Sequence, residues 1–317
     1  MKTKKAPQLS VIYQKYGILI VLLLIFIVVS FLTDKFLTTS NLLSVARQVS
    51  INGILSIGMC FVILTGGIDL SVGSLYALTA TCACGLAAHM PWQLAAVLGV
   101  LIGIGIGLLE GTVIAKIKIA PFITTLASMT ICRGITQVYD GGTAISTPGS
   151  GFNWLGTGYF GPIPVPVVLM VLLFVIAWFV LNRTKFGRHV YAVGGNERAA
   201  VLSGINAARV KIIVYAVSGF CCAISGYISA GRLSSATPTA GEGFEMDAIA
   251  AVVLGGVSMD GGRGSIIGVF VGAFIIGVLN NAMNLLSVTA YWQDIVKGCV
   301  ILAAVFVDRA LSKSTKE

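Results

Sequence analysis

The chain has 317 residues, of which 56% are hydrophobic and only 10% are charged. An ordinary soluble domain carries about 25% charged residues, so this composition excludes a soluble fold and predicts a protein that lies largely in lipid. The formal net charge of +9 does not indicate nucleic-acid binding, because the basic residues separate apolar runs and form no aromatic-studded basic face.

The first apolar run, 17–33, follows several lysines, but no small-residue cleavage site comes after it, so we predict an uncleaved first transmembrane helix. Nine more runs are predicted spans, and the short 246–259 is expected to be broken or re-entrant. The fold prediction is an all-α polytopic membrane protein, with residues 1–317 in one transmembrane permease domain. The ten predicted spans are 17–33, 48–65, 71–89, 93–115, 120–139, 163–181, 212–231, 246–259, 265–284 and 292–307.

The distribution of lysine and arginine predicts the orientation. With ten spans both termini lie on one side, and if that side is the cytoplasm, its segments hold 16 of the 21 basic residues. This asymmetry follows the positive-inside rule and predicts that both termini are cytoplasmic. The predicted cytoplasmic segments are 1–16, 66–70, 116–119, 182–211, 260–264 and the C-terminal tail.

Two glycine ladders predict close helix packing, because a small residue at every fourth position lets two backbones approach each other in a membrane. The first ladder lies within the span 93–115, and the second begins at the start of 265–284. Their members are Gly99, Gly103, Gly107 and Gly111, and Gly264, Gly268 and Gly272, with Gly277 one residue out of step.

Ionisable residues at membrane depth are candidates for function. Asp69 and Ser71 lie in a polar, glycine-bearing turn between two apolar runs. The Asp69 carboxylate either caps the next helix, which we favour, or contacts substrate in the translocation path. Asp247, in the short span 246–259, is a third candidate for the path or for a structural turn.

The other ionisable residues suggest weaker hypotheses. Asp294 and Lys297 are three residues apart on one predicted helix, so we expect them to pair. Glu110 is expected to be solvated near the end of its span. Arg133 and Arg232, near the outer ends of their spans, either extend to the interface or dock an acidic external binding protein.

The chemistry-bearing residues do not favour an enzyme. No phosphate-binding loop of the G-x-x-x-x-G-K-[ST] type occurs, and the two histidines form no nucleophile–base pair. All seven cysteines lie in apolar runs, as packed residues do. We therefore predict no catalytic residue, no metal site and no cofactor on this chain.

The longest predicted cytoplasmic segment, 182–211, contains a short helix. Asn196 is its predicted N-cap, Glu197 lies near its positive end, and Gly204 ends it. The segment is either an interfacial helix or one that lies in the groove of another protein. The residues assigned to it are Asn196, Glu197, Arg198, Ala199, Ala200 and Gly204.

Several motifs, in order and spacing, resemble the permeases of ribose-type ABC importers, over about residues 15–309. Glu197-Arg198-Ala199-Ala200 with Gly204 is similar to the E-A-A…G motif by which such permeases couple to their ATPase, although Arg198 replaces an alanine. The other matching stretches are Gly66-Gly67-Ile68-Asp69-Leu70-Ser71-Val72-Gly73, Pro121-Phe122-Ile123-Thr124-Thr125-Leu126, Gly194-Gly195-Asn196-Glu197, and Asp247-Ala248-Ile249-Ala250-Ala251-Val252-Val253-Leu254-Gly255-Gly256.

The resemblance implies a multi-pass permease subunit of the bacterial cytoplasmic (inner) membrane that imports a monosaccharide. It implies three partners: a cytoplasmic ATP-binding subunit that carries ATP and Mg²⁺, an extracytoplasmic sugar-binding protein, and a second permease copy. Ribose, other pentoses, hexoses and small polyols all stay open as substrates. Because the sequence suggests no polar cluster able to cage a sugar, we expect the sugar to pass without tight capture.

The alternative interpretation is an ion-coupled secondary transporter, with Asp69 or Asp294 as the ion site. A purely structural membrane subunit is the third.

Overall fold

The computed structural model describes residues 8–147 and 150–314. The two ends, 1–7 and 315–317, lie outside the described residues. The helices within the described ranges are α1 (Gln8–Leu32), α2 (Thr39–Leu64), α3 (Val72–Ala87), α4 (Trp92–Thr112), α5 (Pro121–Asp140), α6 (Ser150–Thr157), α7 (Val165–Arg183), α8 (Lys185–Gly195), α9 (Glu197–Leu202), α10 (Ala207–Leu233), α11 (Phe244–Leu254), α12 (Ile266–Leu285) and α13 (Ala290–Ser314). The predicted all-α polytopic fold is confirmed.

Each of the ten predicted spans coincides with one helix, while α6 and α8 are additional to the prediction. Helices α2, α7, α10 and α12, and α4 with its π-helical extension Val113–Ile117, are long and apolar enough to cross a membrane. Helix α11 is shorter, as expected for 246–259. Its 11 residues extend about 16 Å, roughly half of the hydrocarbon thickness.

Helix α2 forms the centre of the bundle and is buried from Val49 to Leu64. It ends in a Schellman motif at Gly66, whose φ is 75°. Helix α11 ends in the same way at Gly256, whose φ is 79°. In both motifs the N–H of the following residue donates to a carbonyl five residues back, at 3.2 Å. The last carbonyls of both helices are therefore satisfied within the bundle.

The first glycine ladder packs α4 against α10. A β-carbon at Gly103 would meet the backbone of Gly219, and one at Gly111 would meet Ile212. At the other end of α4, Gly99 lies against the hydroxyl of Tyr227. The two helices are therefore antiparallel with their backbones in contact, which confirms the packing prediction.

The second ladder packs the start of α12 against α11. Gly268 lies against Gly255, and Gly272 against Ala251. Gly277, which is out of step in the sequence, faces Val49 of α2 instead. The break in the ladder marks the point where α12 leaves one neighbour and meets another.

Three of the predicted cytoplasmic segments meet at one end of the bundle. The N–H of Gly262 donates to the carbonyl of Leu64 at 2.9 Å, and Gly194 lies against the same carbonyl. The segments around 66, 194 and 262 therefore share one side of the protein, as predicted. That this side is cytoplasmic stays a prediction based on the basic residues.

Four two-residue strands lie in the loops between α5 and α11. They form two antiparallel pairs, β1 with β4 and β2 with β3. The strands are β1 (Ile145–Ser146), β2 (Tyr159–Phe160), β3 (Ile163–Pro164) and β4 (Ser235–Ala236).

Candidate functional site

The short helix α9 has the predicted ends. The side-chain oxygen of Asn196 accepts from the N–H of Ala199 at 3.0 Å. Gly204 has a φ of 83°, and the N–H of Ile205 after it donates to the carbonyl of Ala200 at 3.0 Å. This is an N-cap followed by a Schellman motif, so the predicted helix is confirmed.

The residues of α9 lie on two faces. Ala200 is buried, whereas Glu197, Arg198 and Ala199 are exposed. The Glu197 carboxylate accepts from the Lys211 ammonium at 2.7 Å, which ties α9 to α10. Two apolar side chains absent from the predicted site also face outward, with Leu202 90% and Val201 54% exposed. Two consecutive apolar residues at the end of a helix in a charged loop are the sequence feature that could have indicated these two side chains.

Helix α8 joins α9 to the transmembrane helices through backbone contacts that we name the glycine joint, formed by Leu64–Gly66, Gly194 and Gly261–Gly262. Gly194 has no room for a β-carbon, because one there would collide with the carbonyl of Leu64 and the N–H of Gly262. A neighbouring side chain supports the joint: the Tyr191 hydroxyl donates to the carbonyl of Gly264 at 3.1 Å. Burial raises the pKa of the Tyr191 hydroxyl above its ordinary value.

Asp69 is fully buried in the turn between α2 and α3. One carboxylate oxygen accepts from the N–H and the hydroxyl of Ser71, at 2.9 and 2.6 Å. The other accepts from the Ser218 hydroxyl of α10 at 2.6 Å. Asp69 therefore stabilises the turn that leads into α3 and fastens this turn to α10. The N-cap of α3 is Ser71, and no side chain among the described residues caps that helix, so the favoured interpretation of Asp69 as its cap is wrong. A role for Asp69 in the translocation path stays a prediction.

Glu110 departs from the prediction. It was expected to be solvated, but it is only 4% exposed. Neither of its carboxylate oxygens makes a hydrogen bond of ordinary geometry with the described residues, although the Ser71 and Ser128 side chains lie close to it. The groups close to its carboxylate are Ser128 of α5, and Ser71 and Asp69 of the turn before α3. The α4 side chain is therefore enclosed by these elements and does not reach water.

The two outer arginines have different surroundings. Arg133 is half-buried and donates to the carbonyls of Pro238 and Ala240, so it supports the loop before α11. Arg232 lines a cavity beside α11. Docking of a binding protein by either residue stays a prediction.

Asp247 lies at the centre of a polar network near the first turn of α11. Its Oδ1 lies 3.2 Å from the Lys297 ammonium. Its Oδ2 accepts from the side-chain amides of Asn280 at 3.0 Å and Asn52 at 3.3 Å. The predicted pairing of Lys297 with Asp294 is wrong, because Asp294 is exposed and a carboxylate away from water attracts the ammonium more strongly.

The network borders a cavity of about 250 Å³ between α2, α10, α11, α12 and α13. The cavity extends from the ends of α10 and α12 to Asn52, which lies near the middle of α2. The structure therefore contains a polar cluster that the sequence did not indicate, while the expectation that the sugar passes without tight capture stays a prediction. The members of this cluster are too far apart in the sequence for any local pattern to reveal it. The polar side chains that line the cavity include Asn52, Arg232, Asp247, Asn280, Asn284 and Lys297.

Comparison with known proteins identifies the family to which this chain belongs. Residues 41–305 match the model of the "branched-chain amino acid transport system / permease component" family. The ribose import permease protein RbsC of Bacillus subtilis is 51% identical over 304 residues, covering 95% of this chain and 94% of that protein. The chain belongs to the ribose-type ABC importer permeases.

Other members of the family show how broad the similarity is. RbsC of Escherichia coli K12 is 48% identical and covers 92% of both chains. The D-allose transport system permease protein AlsC of the same organism is 38% identical over 98% of this chain and 96% of its own. No solved structure gives a significant match. As a permease of this family, the chain is a transporter component and a multi-pass protein of the inner membrane.

Proposed function

We propose that this chain is the permease subunit of an ATP-driven importer of a ribose-like monosaccharide. The similarity to ribose permeases over 95% of the chain supports the substrate class. The glycine joint supports the mode of coupling, because it connects the exposed helix α9 to the end of the central helix α2. A shift of α9 would move α8, and α8 would pass the movement to the end of α2 through the backbone contacts of Gly194. No flexible side chain lies between α8 and α2 at this contact.

The partners follow from this role. A cytoplasmic ATP-binding subunit, with ATP and Mg²⁺, would receive α9 in a groove, contacting Glu197, Arg198 and Leu202. An extracytoplasmic sugar-binding protein would deliver the sugar at the opposite end of the bundle. A second copy of the permease would complete the translocation path, and twofold homodimers are the commonest symmetric assemblies.

The test compares two adjacent glycines of α8. Gly194→Ala puts a methyl group into the backbone of Leu64 and Gly262, whereas Gly195→Ala meets nothing within 4 Å. We expect Gly194→Ala to lose most ATP-driven sugar uptake in proteoliposomes that contain the ATPase and the binding protein, and Gly195→Ala to keep it. Normal uptake by Gly194→Ala would refute coupling through the joint.

Glu197→Arg provides a second test, since Glu197 is exposed and its replacement leaves the core untouched. We expect weaker association with the ATPase. Uptake that follows a proton or sodium gradient and ignores ATP depletion would instead support the ion-coupled alternative.

A further inference from the structure

We infer that the cavity beside Asp247 is a low-affinity site that holds the sugar in transit, with fixed hydrogen-bonding groups suited to a neutral polyol. This inference rests on the proposed function and adds a site to it. Buried ionisable and amide groups within a transmembrane bundle are expensive, and transporters place such groups at substrate sites.

The strongest observation is an unused acceptor. Asn280 is 5% exposed and lines the cavity, yet its side-chain oxygen has no hydrogen-bond partner among the described residues. Its amide nitrogen donates to Asp247, which fixes the orientation of the group. A buried acceptor without a partner is costly, so the site favours a ligand that brings a hydroxyl donor.

The cavity also offers donors. Among the described residues, the Lys297 ammonium pairs with the Asp247 carboxylate. Because an ammonium has three hydrogens, Lys297 can donate to further acceptors. Arg232 lines the same cavity and forms no salt bridge with the described residues. A sugar hydroxyl both donates and accepts, so a ring with several hydroxyls can satisfy Asn280 and these cations together.

An apolar surface completes the site. Phe244 lines the cavity and is held by an edge contact with Tyr76, with ring centroids 5.4 Å apart. A sugar ring has C–H groups on its faces that can lie against such an aromatic ring. Binding sites commonly combine an apolar wall with a few fixed polar groups.

The charges argue against a cation as the ligand. Asp247 already contacts Lys297 and two amides, so it has little capacity left for a cation. The nearby Arg232 and Lys297 would also repel one. A neutral sugar leaves the ion pair intact, and weak binding lets the sugar move on.

The experiment uses the purified full-length permease and ribose as the probe. Asn280→Ala removes the free acceptor, while the control Asn281→Ala alters a neighbouring buried amide that bonds to Asn41 instead. We expect Asn280→Ala to weaken ribose binding about tenfold, measured by saturation-transfer NMR, and Asn281→Ala to change it less than twofold. Asn284→Ala, at an exposed cavity residue, gives a second reading if Asn280→Ala folds poorly.

Three outcomes overturn the inference: ribose binding unchanged in Asn280→Ala and Asn284→Ala, equal loss in Asn281→Ala, or tighter binding of ribose 5-phosphate than of ribose. ATPase stimulation by the loaded binding protein separates this inference from the proposed function. If stimulation and uptake persist in Asn280→Ala with unchanged affinity, only the cavity site fails. If wild-type protein shows no ATP-driven uptake, the proposed function fails.

Discussion

Gly103 of α4 and Gly219 of α10 exclude each other's side chains, because a β-carbon on either residue would meet the backbone carbonyl of the other. This reciprocal contact lies in the middle of the first glycine ladder. In lipid, where no hydrophobic effect drives helices together, such close packing is a main source of helix association.

The ladder predicts a position-specific response to added volume. Gly103→Ala inserts a methyl group into a backbone contact, and we expect it to lower the free energy of unfolding by about 1–3 kcal/mol. Gly105→Ala on the same helix meets nothing within 4 Å and is the matched control. Thermal unfolding in detergent measures both. Equal melting temperatures would show that the α4–α10 contact is not tight.

The Lys297–Asp247 pair predicts an asymmetric mutational series. Lys297→Met leaves a carboxylate that is 3% exposed without its cation, and we expect a loss of about 3–5 kcal/mol in stability. The double variant with Asp247→Asn should recover much of that loss. Asp294→Asn, at an exposed residue, should stay within about 0.5 kcal/mol of wild type. A double-mutant cycle from unfolding curves measures the coupling, and a coupling near zero would contradict the pairing.

We expect the exposed side chain of Leu202 to contact a partner protein without contributing to the stability of the permease. Leu202→Asp alters a side chain that is 90% exposed, so we expect a change in unfolding free energy within about 0.5 kcal/mol. We also expect co-purification with the ATP-binding subunit to fall, since a charge would replace an apolar contact. Ser203→Asp, one residue further on, is the control. Full co-purification of Leu202→Asp would exclude this contact.

Glu110 predicts a gain in stability. Its carboxylate is buried, makes no hydrogen bond of ordinary geometry with the described residues, and lies near the like charge of Asp69; such a group costs about 1–3 kcal/mol. Glu110→Met should therefore raise the melting temperature. Asp69→Leu should lower it, because the Asp69 carboxylate accepts three hydrogen bonds. A Glu110→Met variant that unfolds earlier than wild type would point to a partner that the isolated chain lacks.

The features predicted correctly from the sequence are those that a short stretch of neighbouring residues determines. The spans, the two ladders, the Asn196 cap and the end of α9 at Gly204 each depend on residues within a few positions of one another. The amphipathic helix α8 was missed because its apolar and basic residues are interleaved within a loop that reads as polar.

The polar cavity could not be predicted in the same way. Asn52, Asp247 and Lys297 come from three helices and meet only after the bundle has formed. In the sequence, Asp294 lies only three residues before Lys297, and this spacing favours a pair within one helix. Burial decided the outcome, because the attraction between two charges grows as water is removed.

The first glycine ladder has a consequence for how the protein responds to heat. Glycine has no rotamers to lose, so α4 and α10 join without freezing long side chains. Helix α13, by contrast, is held by Lys297 and by Gln293, which donates to Asn284 at 2.9 Å. Each such side chain loses up to about 2 kcal/mol of conformational entropy when it is fixed. On warming, the α13 side should therefore loosen first, and its amides should exchange with deuterium before those of α10.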